Sequence, residues 1–256
     1  MREISAEQIT QVVRRLCIEA NCHLPQDMKG RIEACRAQEG WEPAREILDR
    51  IVENYRIADE NSRPICQDTG MACVFLKVGQ DVHITGDIRE AVDEGVRQGY
   101  GEGYLRKSVV RDPLDRVNTG DNTPAMLYYE LVPGGQLEIT VAPKGFGSEN
   151  MSQIKMLKPS DGLQGVKDFI RRVVEEAGPN PCPPIVVGVG IGGTFDKAAY
   201  LAKRALLRPV DRRSDEPFYA KLEDELLDEI NTLGVGPQGF GGRTTALAVN
   251  IEHCPT

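Results

Sequence analysis

The stretch IVVGVGIGGTFDKAAYLAKRALL, residues 185–207, decides the fold class. Its first part, 185–191, is a short apolar run bounded by Pro184 and Gly192, the pattern of a buried strand. Gly192-Gly193 turns the chain, and 195–207 reads as a helix. A strand feeding directly into a helix is the unit of α/β layering. Working outward, Ser160 is the expected cap of a helix reaching about Ala177, with Val166, Phe169, Ile170, Val173 and Val174 inward. Downstream come a helix over 217–232, a Gly-rich segment over 234–242 and a last strand over 245–251. In the N-terminal half, Ser5 and Gln8 have the spacing of a capping box, and Ile9, Val12, Val13, Leu16 and Cys17 follow at helical spacing. A second helix is expected over 44–58, strands over 73–78 and 81–85, and a helix capped by Asp87. Residues 125–132 and 136–142 flank Pro133-Gly134-Gly135 in a hairpin pattern. The expected architecture is an α/β layered domain with a mixed sheet, hairpin additions and flanking helices, spanning 1–256 as one domain.

Composition narrows the function. The chain has 256 residues, is 40% hydrophobic and 27% charged, and carries a formal net charge of −8. A generally acidic surface argues against nucleic acid or anionic membrane as a partner. No apolar run approaches the roughly 20 residues that span a bilayer. The N-terminal MREISAEQ lacks the apolar core of a secretory signal, so a cytoplasmic protein is expected. The seven cysteines (17, 22, 35, 66, 73, 182 and 254) are odd in number and include no CxxC pair. That argues against a disulfide framework and against zinc. Cys17 falls on an apolar helix face and reads as a buried thiol. Widely separated cysteines that meet in the fold could instead hold an iron–sulfur cluster.

Four segments look chemical. PICQDTG at 64–70 places a thiol beside an amide and a carboxylate, although Asp68 and Thr69 could equally serve backbone groups in a turn. In NPCPP at 180–184, prolines stiffen the backbone around Cys182; a ligand and a structural thiol both fit. KGFGSEN at 144–150 has two glycines that would admit a ligand close to main-chain amides, or simply a flexible turn. The polar loop 106–124 opens with Arg106 and Lys107, which could balance carboxylates. GVGIGG at 188–193 is not a dinucleotide loop. Its glycine spacing is wrong, and Leu207-Arg208-Pro209 stands where an acidic residue would be needed. A helix N-terminus after it could still favour a carboxylate.

Taken together, CQDTG at 66–70, LRKS at 105–108, NTGDNTPA at 118–125, KGFGSEN at 144–150, NPCPP at 180–184 and GVGIGGTFDKAAYLAKRAL at 188–206 resemble, in order, the α subunit of class I iron–sulfur fumarate hydratases and tartrate dehydratases. The resemblance runs from about residue 5 to the end. It implies a [4Fe–4S] cluster held by three cysteines, with one iron open to a small dicarboxylic acid substrate. By motif, Cys66 and Cys182 would be ligands and would meet in space. Gln67, Arg106 and the backbone at Gly147 would contact substrate, and Asp68 would be a candidate catalytic acid. The family continues past the position of Thr256 to its third ligand cysteine, so a truncated chain is expected, with Cys254 as a substitute ligand the alternative. A separate β subunit would complete the site in a hetero-oligomer. Reversible hydration of fumarate to malate is the leading expectation. Tartrate dehydration to oxaloacetate is its close rival, and a non-catalytic iron–sulfur or redox-sensing protein the reading from another class.

Overall fold

The computed structural model describes residues 2–256. The elements are β1 (Arg2–Ser5), α1 (Ala6–Cys22), α2 (Gln26–Gln38), α3 (Glu42–Asn61), β2 (Met71–Gly79), β3 (Val82–Thr85), α4 (Ile88–Glu102), β4 (Met126–Val132), β5 (Leu137–Lys144), α5 (Phe146–Glu149), α6 (Gly162–Ala177), β6 (Ile185–Gly192), α7 (Phe195–Ala205), α8 (Pro217–Asn231) and β7 (Ala246–Cys254). The chain is mixed α/β and divides into two compact units. One comprises the residues up to Leu24 with Asn54–Phe146; the other comprises Pro25–Glu53 with Gly147–Thr256. No helix among the described residues is long and apolar enough to cross a membrane.

In the first unit the capping box forms as read. Ser5 Oγ accepts from Gln8 N, and Gln8 Oε1 accepts from Ser5 N. This closes two of the amides that a helix start leaves open. Asp87 caps α4 through Glu90 N. The core gathers Ile9, Val13 and Cys17 of α1, Val92 and Val96 of α4, and Val74 and Leu76 of β2. Burial on this scale contributes about 1.5–3 kcal/mol per large aliphatic side chain.

The sheet is mixed, in the order β4-β2-β5, with β2 parallel to β4 and antiparallel to β5. This corrects the hairpin expectation. The strands flanking Pro133-Gly134-Gly135 exist, but β2 lies between them. The turn passes over the end of β2, where Gln80 N donates to Val132 O and Asp81 N donates to Gly134 O. β3 pairs in parallel with β1, a strand the sequence did not announce.

In the second unit β6 and β7 pair in parallel. The glycines of GVGIGG serve packing. A methyl at Gly190 would lie 2.6 Å from Ala202 N, and one at Gly188 would lie 2.8 Å from Leu206 Cγ. Helix α7 therefore rests directly on strand β6. The far edge of β7 is closed by side chains. Asn231 Oδ1 accepts from Thr245 N and Ala246 N, and Arg31 Nε donates to Leu247 O. Fully buried Glu223 accepts from Ile251 N at 2.8 Å and pairs with Arg208. Ser160 does not cap α6; it lies in a single 3-10 turn, Pro159–Asp161, that precedes the helix.

Candidate active site

The loop between α3 and β2 carries three of the residues singled out above. Its entry is fixed at Ile65, whose N–H donates to Asn21 O and whose carbonyl accepts from Asn54 Nδ2. Cys66 follows and is exposed. Its Sγ lies 3.3 Å from Gln67 Oε1 and accepts from Asp68 N at 3.4 Å. Amide hydrogen bonds to sulfur are among the contacts that tune an iron–sulfur centre. Asp68 is held by both oxygens: Oδ1 accepts from Gly70 N at 3.1 Å and Oδ2 from Phe146 N at 3.0 Å. Each oxygen keeps a further lone pair for a proton or a ligand. The loop closes at Gly70, whose φ of +62° is the left-handed region that favours glycine.

Arg106 belongs to the same unit and is brought to this loop. Thr69 is buried; its Oγ1 donates to Arg106 O at 3.0 Å, and its carbonyl accepts from Tyr100 Oη at 2.8 Å. Burial pushes the Tyr100 phenol up, so it stays a neutral donor. The Arg106 side chain is exposed. Lys107 is exposed beside it, and Ser108 Oγ is buried without a partner.

Cys182 and Gly147 belong to the second unit. Cys182 is exposed and left-handed, with φ +56°. Its N–H donates to Pro179 O at 2.9 Å. Gln238 clamps the loop from outside: Nε2 donates to Pro183 O at 2.8 Å and to Cys182 O at 3.3 Å, and its own N–H donates to Pro183 O. Sequence reasoning missed Gln238, which sits in a Gly-rich segment without periodicity. A methyl built on Gly147 would lie 3.1 Å from Asn180 O, so Gly147 itself lies close to the Cys182 loop. Within that segment Glu149 pairs with Lys203 of α7 at 2.7 Å. The anion position at the start of α7 is taken by the chain's own Asp196. A hydrogen bond from Thr194, then the α7 amides, holds that carboxyl below its usual range.

The seven thiols separate by burial. Cys17, Cys22, Cys35 and Cys73 are buried. Burial pushes the Cys17 thiol up to about 12 and raises Cys22 and Cys35 as well. Iron–sulfur ligands bind as thiolates, so these positions resist the role. Cys66 and Cys182 are exposed, and Cys254 is partly so. Among the described residues no three His, Cys, Asp or Glu side chains already converge as a metal site. In donor chemistry and access, Cys66 and Cys182 fit a thiolate-held cluster.

Residues 10–256 match the sequence profile of the family described as Fumarate hydratase (Fumerase). A candidate L(+)-tartrate dehydratase subunit alpha from Methanocaldococcus jannaschii is 45% identical over 252 residues, covering 96% of this chain and 88% of the relative. The L(+)-tartrate dehydratase subunit alpha of Escherichia coli K12 is 31% identical over 255 residues, covering 98% and 84%. The protein of that name from Shigella boydii is similar to the same extent, 31% over 255 residues.

Proposed function

The chain belongs to the fumarate hydratase (Fumerase) family, and from that premise we propose that it is the α subunit of an iron–sulfur hydro-lyase that dehydrates L(+)-tartrate to oxaloacetate. Residues 1–256 act as one catalytic subunit in the cytoplasm, completed by a β subunit. The two-subunit reading follows the relatives, which are named as alpha subunits. Those names also favour tartrate over fumarate, the substrate in the family's description and the leading expectation from sequence. Fumarate hydration is the second reading.

The observation that carries the proposal is the tie between two loops of the first unit. Thr69 joins the Cys66–Asp68 loop to Arg106 at 3.0 Å. An exposed thiol, a carboxylate fixed by two amides and an exposed guanidinium thus stand on hydrogen-bonded neighbours. Cluster storage alone would need no such set.

Cys66 and Cys182 would hold the [4Fe–4S] cluster, with a third ligand to complete it. When bound, the cluster would supply Lewis acidity for the departure of the substrate hydroxyl. The chain's own residues do the rest. Arg106 binds one substrate carboxylate through its planar two-donor fork. Gln67 and the backbone at Gly147 orient the diacid. Asp68 transfers the proton, its carboxyl kept in one orientation by Gly70 N and Phe146 N. Pre-set orientation of this kind removes reorganisation from the chemical step.

The test is anaerobic co-expression with the β subunit and assay on both diacids. The proposal expects iron-dependent formation of oxaloacetate from L(+)-tartrate, with a higher kcat/KM than for fumarate hydration. Faster fumarate turnover would transfer the proposal to the second reading. A stable cluster without turnover on either substrate would favour the redox-sensing class.

A further inference from the structure

Asn122 is fully buried, although it lies in the polar loop between α4 and β4. Its backbone is left-handed, φ +64°, a conformation that Asn tolerates better than most residues with a side chain. Its side-chain hydrogen bonds run to the Cys66–Asp68 loop and back to the start of its own loop. Nδ2 donates to Gly70 O at 3.0 Å, while Oδ1 accepts from Ser108 N at 2.7 Å and Val109 N at 3.1 Å. Gly70 closes the Cys66–Asp68 loop, and its N–H is the donor to Asp68 Oδ1. Ser108 lies two residues beyond Arg106. One buried amide therefore bridges the peptide that steadies Asp68 and the peptides that follow Arg106. An apolar residue of the same size would leave two amides and a carbonyl unpaired, which buried backbone seldom tolerates. Thr69 supplies a second tie, from Oγ1 to Arg106 O.

We infer that Asn122 is a positioning residue that sets the spacing between the Asp68 loop and the Arg106 loop, registering proton transfer against the carboxylate clamp. The inference rests on the hydro-lyase reading for its catalytic part and on geometry alone for the tie. Asn122 touches no substrate. It acts through Gly70 on Asp68 and through Ser108 and Val109 on Arg106.

Two substitutions separate the strands of the tie. Asn122→Ala removes all three hydrogen bonds. Asn122→Asp keeps the acceptor for Ser108 N and Val109 N but replaces the donor to Gly70 O with an oxygen. Asn231→Asp is the matched control. Asn231 also accepts two backbone amides through Oδ1 and donates through Nδ2 to a carbonyl, that of Ala246, but it belongs to the second unit and ties the start of β7.

The experiment uses the αβ complex, with kcat and KM on the diacid that the wild type turns over, and amide exchange resolved at Ser108 and Val109. Asn122→Ala is expected to lower kcat/KM about 10²-fold, the usual consequence of misplacing reacting groups by an ångström, and to speed exchange at both amides. Asn122→Asp should leave those amides protected and lower kcat about as far, with KM nearly unchanged, because only the Asp68 side is released. Asn231→Asp should lower thermal stability and spare kcat/KM. Equal kinetic effects of Asn122→Asp and Asn231→Asp would overturn the inference. So would unchanged exchange at Ser108 and Val109 in Asn122→Ala. An inactive wild-type complex would overturn the hydro-lyase reading instead, and the exchange measurement would still decide the tie.

Discussion

Gly70→Ala is the sharpest stability experiment that the first unit offers. Two separate costs fall on one methyl group. The first is conformational: φ at Gly70 is +62°, and a left-handed backbone costs a residue with a Cβ roughly 1–2 kcal/mol. The second is steric. The methyl would lie 2.7 Å from Gly145 N and closer still to the Lys144 carbonyl. Comfortable contacts with carbon start near 3.5 Å, so the loop must retreat by about 1 Å, and forced overpacking of this kind costs about 1–3 kcal/mol. The expected total is about 2–5 kcal/mol. Gly120→Ala isolates the first cost, because Gly120 is also left-handed, φ +84°, but nothing lies within 4 Å of its added methyl. Urea unfolding of both variants, followed by circular dichroism, measures the difference; fluorescence would not serve, since the only tryptophan, Trp41, lies in the other unit. The same retreat moves the N–H that holds Asp68, so Gly70→Ala should also lose turnover well beyond Gly120→Ala. Equal destabilisation by the two substitutions would refute the steric reasoning.

Asp68→Asn should lower turnover about 10²–10⁴-fold while iron content stays near that of the wild type; parallel loss of both would make Asp68 structural. Asn can accept from only one of Gly70 N and Phe146 N, so a modest fall in melting temperature is also expected. Arg106→Lys keeps the charge but loses the fork, and should raise KM about tenfold with little change in kcat, as steady-state kinetics would show. Acid stability has a specific source at Asp121. Burial works against its charge, yet hydrogen bonds from Thr123, Arg97 and Thr119 hold the carboxyl down at about 2. A depressed carboxyl contributes stability above its unfolded value near 3.9 and loses it as pH falls toward 2. Asp121→Asn should therefore flatten the stability–pH curve between about pH 4 and 2, measured by thermal melts across that range.

The parts of the fold written in local pattern were readable. The capping box at Ser5 and Gln8, the cap at Asp87 and the apolar run of β6 each sit within a few residues of what they specify. Pairing was not readable. Pro133-Gly134-Gly135 announces a turn between two strands, but no local signal says that β2, some fifty residues earlier, slots between them. α2 escaped because it buries only Ile32 and Cys35, too little to write an apolar stripe. β1 is four residues long, and its partner lies about eighty positions away. At the candidate site, Cys66, Asp68 and Cys182 stood out through their neighbours in sequence. Asn122 and Gln238 did not, since polar residues in Gly-rich loops look the same whether they face solvent or tie buried backbone together.

As a hydro-lyase α subunit of the proposed kind, this chain would help carry a cluster on which a diacid reacts. The most direct test is the Mössbauer spectrum of the anaerobically assembled complex, recorded with and without L(+)-tartrate. The expected result is a [4Fe–4S] signal in which one iron site alone shifts when tartrate is added, and its loss in Cys66→Ser and Cys182→Ser. A spectrum indifferent to tartrate, or a cluster that survives both substitutions, would contradict it.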